Sequence, residues 1–148
     1  MNRALWQRIG LIYLAGSFAL VGFWAAFFPR SFYSDFPGLG RHWISPDGPF
    51  NQHLVRDVGE LNLALFVVVV FAAVTLSVPL VRAALLATIV NGVLHVGYHI
   101  GHVDMFSTGD QVAIIGSLVG APIVAAALLT SFRRTPAARD AMGPTTAS

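Results

Sequence analysis

The sequence predicts an all-α integral membrane protein, a four-helix bundle with both termini in the cytoplasm. Three observations predict this class: the composition, four long apolar segments, and the placement of the arginines. Of the 148 residues, 55% are hydrophobic and only 11% are charged, whereas an ordinary soluble domain carries roughly 25% charged residues. A chain with so few charges is expected to present most of its surface to lipid.

Four segments are long enough to cross a bilayer, which takes about 20 mostly apolar residues. The first, "IGLIYLAGSFALVGFWAAFF", ends in bulky residues without a small-residue cleavage site, so it is predicted to be a retained anchor and not a signal peptide. Pro122 lies inside the fourth segment, where neighbouring helices make it tolerable. The small-residue pairs Gly97–Gly101 and Gly116–Gly120 suit close helix contact. The predicted spans are residues 9–28, 53–76, 81–102 and 111–132.

The arginines predict the orientation, because cytoplasmic loops carry an excess of positive residues. Arg30 and Arg41 lie in the long loop after the first span, and Arg56 lies at the mouth of the second. The cytoplasmic side would hold the other six, which are Arg3, Arg8, Arg82, Arg133, Arg134 and Arg139. All basic residues are arginine, a bias typical of GC-rich bacterial genomes, so the predicted location is the bacterial inner membrane.

The domain organisation is simple, and the composition excludes several functions. Residues 1–134 form one predicted four-span domain, and residues 135–148 have the composition of a disordered cytoplasmic tail. The absence of cysteine excludes disulfides, thiol nucleophiles and iron–sulfur clusters. A formal charge of +2 without a basic patch gives no sign of nucleic acid binding. In the long loop, Asn51 or Asp47 is the predicted N-cap of the second span.

Polar side chains follow one face of the second span and one face of the third. His53, Asp57 and Glu60 share a helical face by their spacing. The third span carries Asn91, His95, His99 and His102 at successive steps of one turn. Because few residues join the two spans, we expect them to be antiparallel neighbours. The pairs expected from matched depths are His53 with His102, Asp57 with His99, and Glu60 with His95.

Ionisable groups inside a membrane usually serve a function, and several chemistries fit these two stripes. A transition metal ion could be held by His95 and His99, with His53 or Asp57 from the facing span. A haem would take one of the same histidines as its axial ligand. A proton path could use the paired carboxylates and imidazoles. Asp57 and Glu60 would then act as acid–base groups, and the Asn91 amide would orient a substrate.

The third span contains "NGVLHVGYH", with Asn91, His95 and the Val96-Gly97-Tyr98 step before His99. In this stretch it resembles the third span of styrene oxide isomerases, which are small four-helix membrane enzymes that bind haem b and form trimers. "TGD" before the fourth span and Leu61-Asn62 in the second also match the family. Arg56 stands near the position of the family's haem-ligating histidine, and His53 lies one turn away. His95 and His99 replace an Asn and a Tyr of the family.

The resemblance implies a haem-binding membrane isomerase that acts on a small apolar molecule and assembles as a homo-oligomer, a trimer in that family. Two alternatives remain open from the residues themselves. One is a non-enzymatic membrane subunit whose His–carboxylate network holds helices together or binds a partner. The other is a proton- or ion-conducting element.

Overall fold

The computed structural model describes residues 3–132 and confirms the all-α class. Within that range, four helices are long and apolar enough to cross a membrane, and each coincides with a predicted span to within a few residues at most ends. The first begins at Arg3, well before the predicted start at residue 9. The predicted tail, residues 135–148, lies outside the described residues. The four long helices are α1 (Arg3–Phe27), α3 (Gln52–Thr75), α4 (Val78–Ile100) and α5 (Thr108–Ser131).

The connection between α1 and α3 is folded. It begins with a short helix, α2 (Pro29–Asp35), and continues into a two-stranded antiparallel hairpin, β1 (Pro37–Gly38) and β2 (Arg41–His42). The hairpin turns through Gly38, Leu39 and Gly40, which all have positive φ. A 3₁₀ turn at Ser45–Asp47 follows. We call residues 36–48 the strap.

Local chemistry explains where the long helices begin and end. The predicted N-cap of α3 is confirmed at Asn51, whose side chain accepts a hydrogen bond from the Leu54 amide at 3.2 Å. Leu76 adopts the left-handed conformation that closes α3. Pro79 then lies in the first turn of α4, where its missing N–H costs nothing. Ser107 caps α5 by accepting from the Asp110 amide.

Glycines set the helix pairing in this bundle. Gly59 of α3 lies against the backbone of α1 so closely that a Cβ atom there would be 2.3 Å from the Ala26 nitrogen. Gly92 of α4 leaves room for the Pro122 ring of α5, which a Cβ would meet at 2.8 Å. The helices of the pairs α1–α3 and α4–α5 therefore approach each other closely at these glycines.

The glycine pairs singled out in the sequence play a smaller part in this packing. A Cβ at Gly97 or Gly116 would have no neighbour within 4 Å. Gly120 alone among those four meets another helix, at the Tyr13 hydroxyl of α1. Of the glycines in the two predicted pairs, only Gly120 therefore takes part in a close contact between helices of the described chain.

The apolar core has two parts at opposite ends of the bundle. We call the end with the α3–α4 turn the turn end, and the end with the strap the loop end. At the loop end, the buried residues Ala25, Phe32 and Val55 pack with Trp24, Phe36, Ile44, Phe50 and Val21. The turn-end core joins all four long helices through Leu11, Leu14, Ala15, Phe18, Val69, Ala72, Ala73, Val81, Ala84, Leu85, Ala125 and Phe132.

Candidate functional site

The polar residues of α3 lie on the surface of the bundle at the loop end. His53 Nε2 lies 3.4 Å from Asp57 Oδ2 one turn along the helix, and the two form an ion pair when the imidazole is protonated. The His53 side chain is 88% exposed. Glu60 is exposed as well. Gly59 and Val55 form the buried side of this part of α3, about half a turn around the helix from the stripe.

His95 and His99 in the last two turns of α4, and His102 just after the helix, form a cluster of rings. The ring centroids of His95 and His99 are 4.8 Å apart in an edge-to-face arrangement. Tyr98 stacks on His102 with centroids 4.1 Å apart and contacts the His99 ring at 5.4 Å. The Tyr98 carbonyl lies 2.8 Å from His102 Nδ1. We call His95, Tyr98, His99 and His102 the histidine cluster.

His99 holds a buried ring nitrogen that lacks a hydrogen-bond partner. Its Nδ1 is buried and has no hydrogen-bond partner among the described residues. Buried polar atoms are nearly always paired, and an exception calls for an explanation such as an ion or another bound group. A neutral imidazole nitrogen without a protein partner is suited to metal or haem ligation. His99 is therefore the best-placed ligand candidate on α4.

Tyr98 within the cluster and Asp47 beside it were not predicted as site residues. The Tyr98 hydroxyl donates to the Asp47 carboxylate of the strap, at 3.2 Å to Oδ1 and 3.1 Å to Oδ2. The same carboxylate acts electrostatically on His99. Sequence reasoning assigned Asp47 at most a capping role, because no periodicity links a loop residue to a helix 51 positions away. In the sequence, the one indication that Tyr98 belongs to the site was its position between His95 and His99.

A second polar network lies at the first turn of α5, where three side chains donate to Asp110. Trp43 Nε1 donates to its Oδ1 at 2.9 Å, and Ser107 Oγ donates to its Oδ2 at 2.8 Å. Arg41 forms an ion pair with the same carboxylate. Because Arg41 and Trp43 belong to the strap, this network ties the strap to α5.

The expected pairing of the two stripes is wrong for a single chain. Within residues 3–132, neither Glu60 with His95 nor Asp57 with His99 forms an ion pair. No three His, Asp or Glu side chains of this range gather closely enough to hold a metal ion. The predicted ligands His95, His99, His53 and Asp57 therefore do not come together in one chain. The reason is that α3 packs on α1 through Gly59 and α4 packs on α5 through Gly92.

The remaining predicted site residues stay apart from the cluster. Asn91 is exposed on α4, one turn before His95. Asn62 of α3 donates to the Val58 carbonyl of its own helix at 2.8 Å. A shallow apolar groove runs along α1 and includes none of the stripe residues; it is lined by Gly16, Ala19, Leu20, Phe23, Trp24 and Phe28.

The described residues meet the ligand requirements of the two expected cofactors to different extents. A zinc-type site takes three or four protein ligands, and the described part of the chain offers only the pair His95 and His99 on one helix. A haem can be held by a single imidazole, for which His99 is the candidate. By number of protein ligands alone, the described residues meet the requirement of a haem and fall short of that of a zinc-type site. Comparisons of this chain with protein families, with curated proteins and with solved structures gave no match.

Proposed function

We propose that this protein is a multi-pass protein of the bacterial inner membrane that binds haem b through His99. The observation that carries the proposal is the buried, unpartnered Nδ1 of His99 in a cluster of histidine rings on a membrane-crossing helix. Ionisable groups at such positions are costly, and they commonly mark functional sites. A transition metal ion held by His95 and His99 is the alternative cofactor.

The resemblance to styrene oxide isomerases extends the proposal to an activity, the isomerisation of a small apolar molecule in the membrane. A bound haem would supply a Lewis-acidic iron for an oxygen atom of such a molecule. The chain would supply the His99 imidazole that holds it, and the hydrogen-bonded pair Tyr98 and Asp47 beside the rings could carry a proton. Asp57, Glu60, Asn91 and His53 make no hydrogen bond or ion pair with the cluster in the described chain, so acid–base roles for them gain no support.

Assembly into a homo-oligomer is part of the same proposal. Glu60, Asn91 and His95 are exposed on the surface of a single bundle, although they belong to membrane-crossing helices. Polar groups that face hydrocarbon are unfavourable unless they find a partner. A second copy of the chain that covers this surface would remove that cost.

Titration of the purified protein with hemin tests the cofactor proposal. We expect saturable, near-stoichiometric binding with a shifted Soret band, because one imidazole is sufficient for axial ligation. Parallel titrations with Co²⁺ and Zn²⁺ test the alternative. Saturable metal binding without haem binding would move the conclusion to a metal site. If hemin only partitions into the detergent and neither metal binds, the proposal is wrong.

The proposed orientation places both termini in the cytoplasm and the strap outside. The chain has no cysteine, so a thiol reagent labels only the introduced cysteine and shows on which side of the membrane that position lies. Leu39→Cys, at the fully exposed tip of the hairpin, should react with a membrane-impermeant maleimide in intact cells. Ser77→Cys, in the turn between α3 and α4, should react only after the membrane is permeabilised. The reverse pattern would contradict the orientation predicted by the arginines.

A further inference from the structure

The two ends of the bundle are held together by different kinds of contact. At the turn end, the apolar core includes residues of all four long helices. At the loop end, the apolar core includes α1, α2, α3 and the strap, and it includes no residue of α4 or α5. The described structure thus consists of two helix pairs, α1–α3 and α4–α5, that share a core at one end only.

The two pairs also have polar links at the turn end. Arg8 of α1 donates to the Ala73 carbonyl of α3 at 2.9 Å. Arg82 of α4 donates to the Phe132 carbonyl after α5 at 2.6 Å. Gln7 of α1 reaches the Ser131 hydroxyl of α5 at 3.1 Å, which joins one pair to the other. The turn end is thus fixed both by apolar packing and by hydrogen bonds.

The strap supplies the polar links between the pairs at the loop end. One end of it is anchored on the α1–α3 side, where Ile44 packs in the loop-end core and the Tyr33 hydroxyl donates to the Gly48 carbonyl at 2.7 Å. From there, Arg41 and Trp43 reach Asp110 of α5. Asp47 accepts from Tyr98 of α4. Both helices of the second pair are therefore tied to the first through polar side chains.

We infer that the strap is a latch, and that releasing it lets the α4–α5 pair swing away from α1–α3 about the short turn at Leu76 and Ser77. Polar links near an aqueous surface exchange with water far more readily than a buried apolar core comes apart. The opening separates the loop-end halves of α3 and α4, and so moves the polar stripe of α3 away from the histidine cluster.

This latch gives the proposed site a route of access for its ligand. His95 and Tyr98 are already exposed, whereas Nδ1 of His99 is buried. Separation of the pairs opens a lateral path between α3 and α4 by which an apolar molecule dissolved in the bilayer reaches this nitrogen. Tyr98 connects the latch to the site, because its hydroxyl bonds Asp47 while its ring contacts His99 and His102. The role in access rests on the proposed function; the hinged motion itself does not.

Distance measurements between pairs of spin labels test the motion. One label pair joins the two helix pairs at the loop end, through Leu54→Cys on α3 and Val112→Cys on α5, both exposed positions. A matched pair lies within α1–α3, through Leu54→Cys and Leu20→Cys. The native chain contains no cysteine, so every label position is defined. The measurement needs neither haem nor metal, so its failure is distinguishable from failure of the proposed function.

The latch variant combines Arg41→Ala, Trp43→Phe and Tyr98→Phe, which remove the donors and keep the aromatic rings. We expect the distance between the helix pairs to lengthen and its distribution to broaden, while the distance within α1–α3 stays unchanged. Arg30→Ala, a strap-proximal arginine that stacks on Phe50, is the control and should change neither distance. If the distance between the pairs stays at its wild-type value, or if both distances broaden together, the inference is overturned.

Discussion

Replacing Gly59 with alanine is expected to destabilise the bundle by about 1–3 kcal/mol or more, the usual cost of overpacking. An added Cβ would lie 2.3 Å from the Ala26 nitrogen and 2.8 Å from the Ala25 carbonyl carbon. These are backbone atoms, so no side-chain rotation relieves the contact. The two helices can accommodate the methyl group only by moving apart along their shared interface.

Gly97→Ala is the matched control, since it adds the same methyl group to another membrane-crossing helix. A Cβ at Gly97 meets nothing within 4 Å. This variant should be neutral or stabilised by up to about 1 kcal/mol, because alanine favours the helix over glycine. Unfolding in mixed detergent micelles, followed by circular dichroism, measures both variants. Equal midpoints for Gly59→Ala and the wild type would show that α1 and α3 do not approach as described.

Replacing His99 with alanine is expected to weaken cofactor binding at least about 100-fold. Removing a residue that only hydrogen-bonds to a metal ligand typically lowers metal affinity about 10–100-fold. His99 is the proposed ligand itself, so its loss should have at least the larger of these effects. The titration with hemin described above measures the effect. Retained helix content and elution volume would show that the variant folds, so that the loss reports on ligation.

Two further histidine variants make this prediction specific. His42 lies on the exposed hairpin, where Nδ1 faces the Ser34 carbonyl, and His42→Ala should bind like the wild type. His95→Ala distinguishes the two candidate cofactors. Haem binding should persist, because the proposed ligand His99 is retained, whereas metal binding by His95 and His99 should be lost, because one of the two ligands is removed. Wild-type affinity in His99→Ala would contradict the assignment of the ligand.

The membrane-crossing helices were predictable because their signals are local. Apolar length, Asn51 before α3 and Pro79 at the start of α4 each act within a few residues. The helix boundaries followed to within a few positions for three of the four spans. The start of α1 was missed, since the apolar segment begins only after Arg8. The helix in fact includes Arg3 and Arg8, and Arg8 donates to the Ala73 carbonyl near the end of α3.

The arrangement of the site was less predictable, because it depends on which helices pair. The sequence places Glu60 and His95 at matching depths, but depth does not determine rotation about the helix axis. Gly59 turns one side of α3 toward α1, and its neighbour Glu60 is left on the surface. The Asp47–Tyr98 and Arg41–Asp110 contacts join residues far apart in the chain, and no spacing rule reveals such pairs.

The absorption spectrum and metal content of the protein as isolated test the central claim, that His99 holds a cofactor, most directly. The protein should be expressed with haem precursor and transition metals supplied, so that neither cofactor is limiting. We expect a strong Soret band and near-stoichiometric haem. Zinc or another metal at similar occupancy in a colourless protein would support the alternative cofactor. A preparation that is both colourless and metal-free would contradict the claim, and the histidine cluster would then be structural.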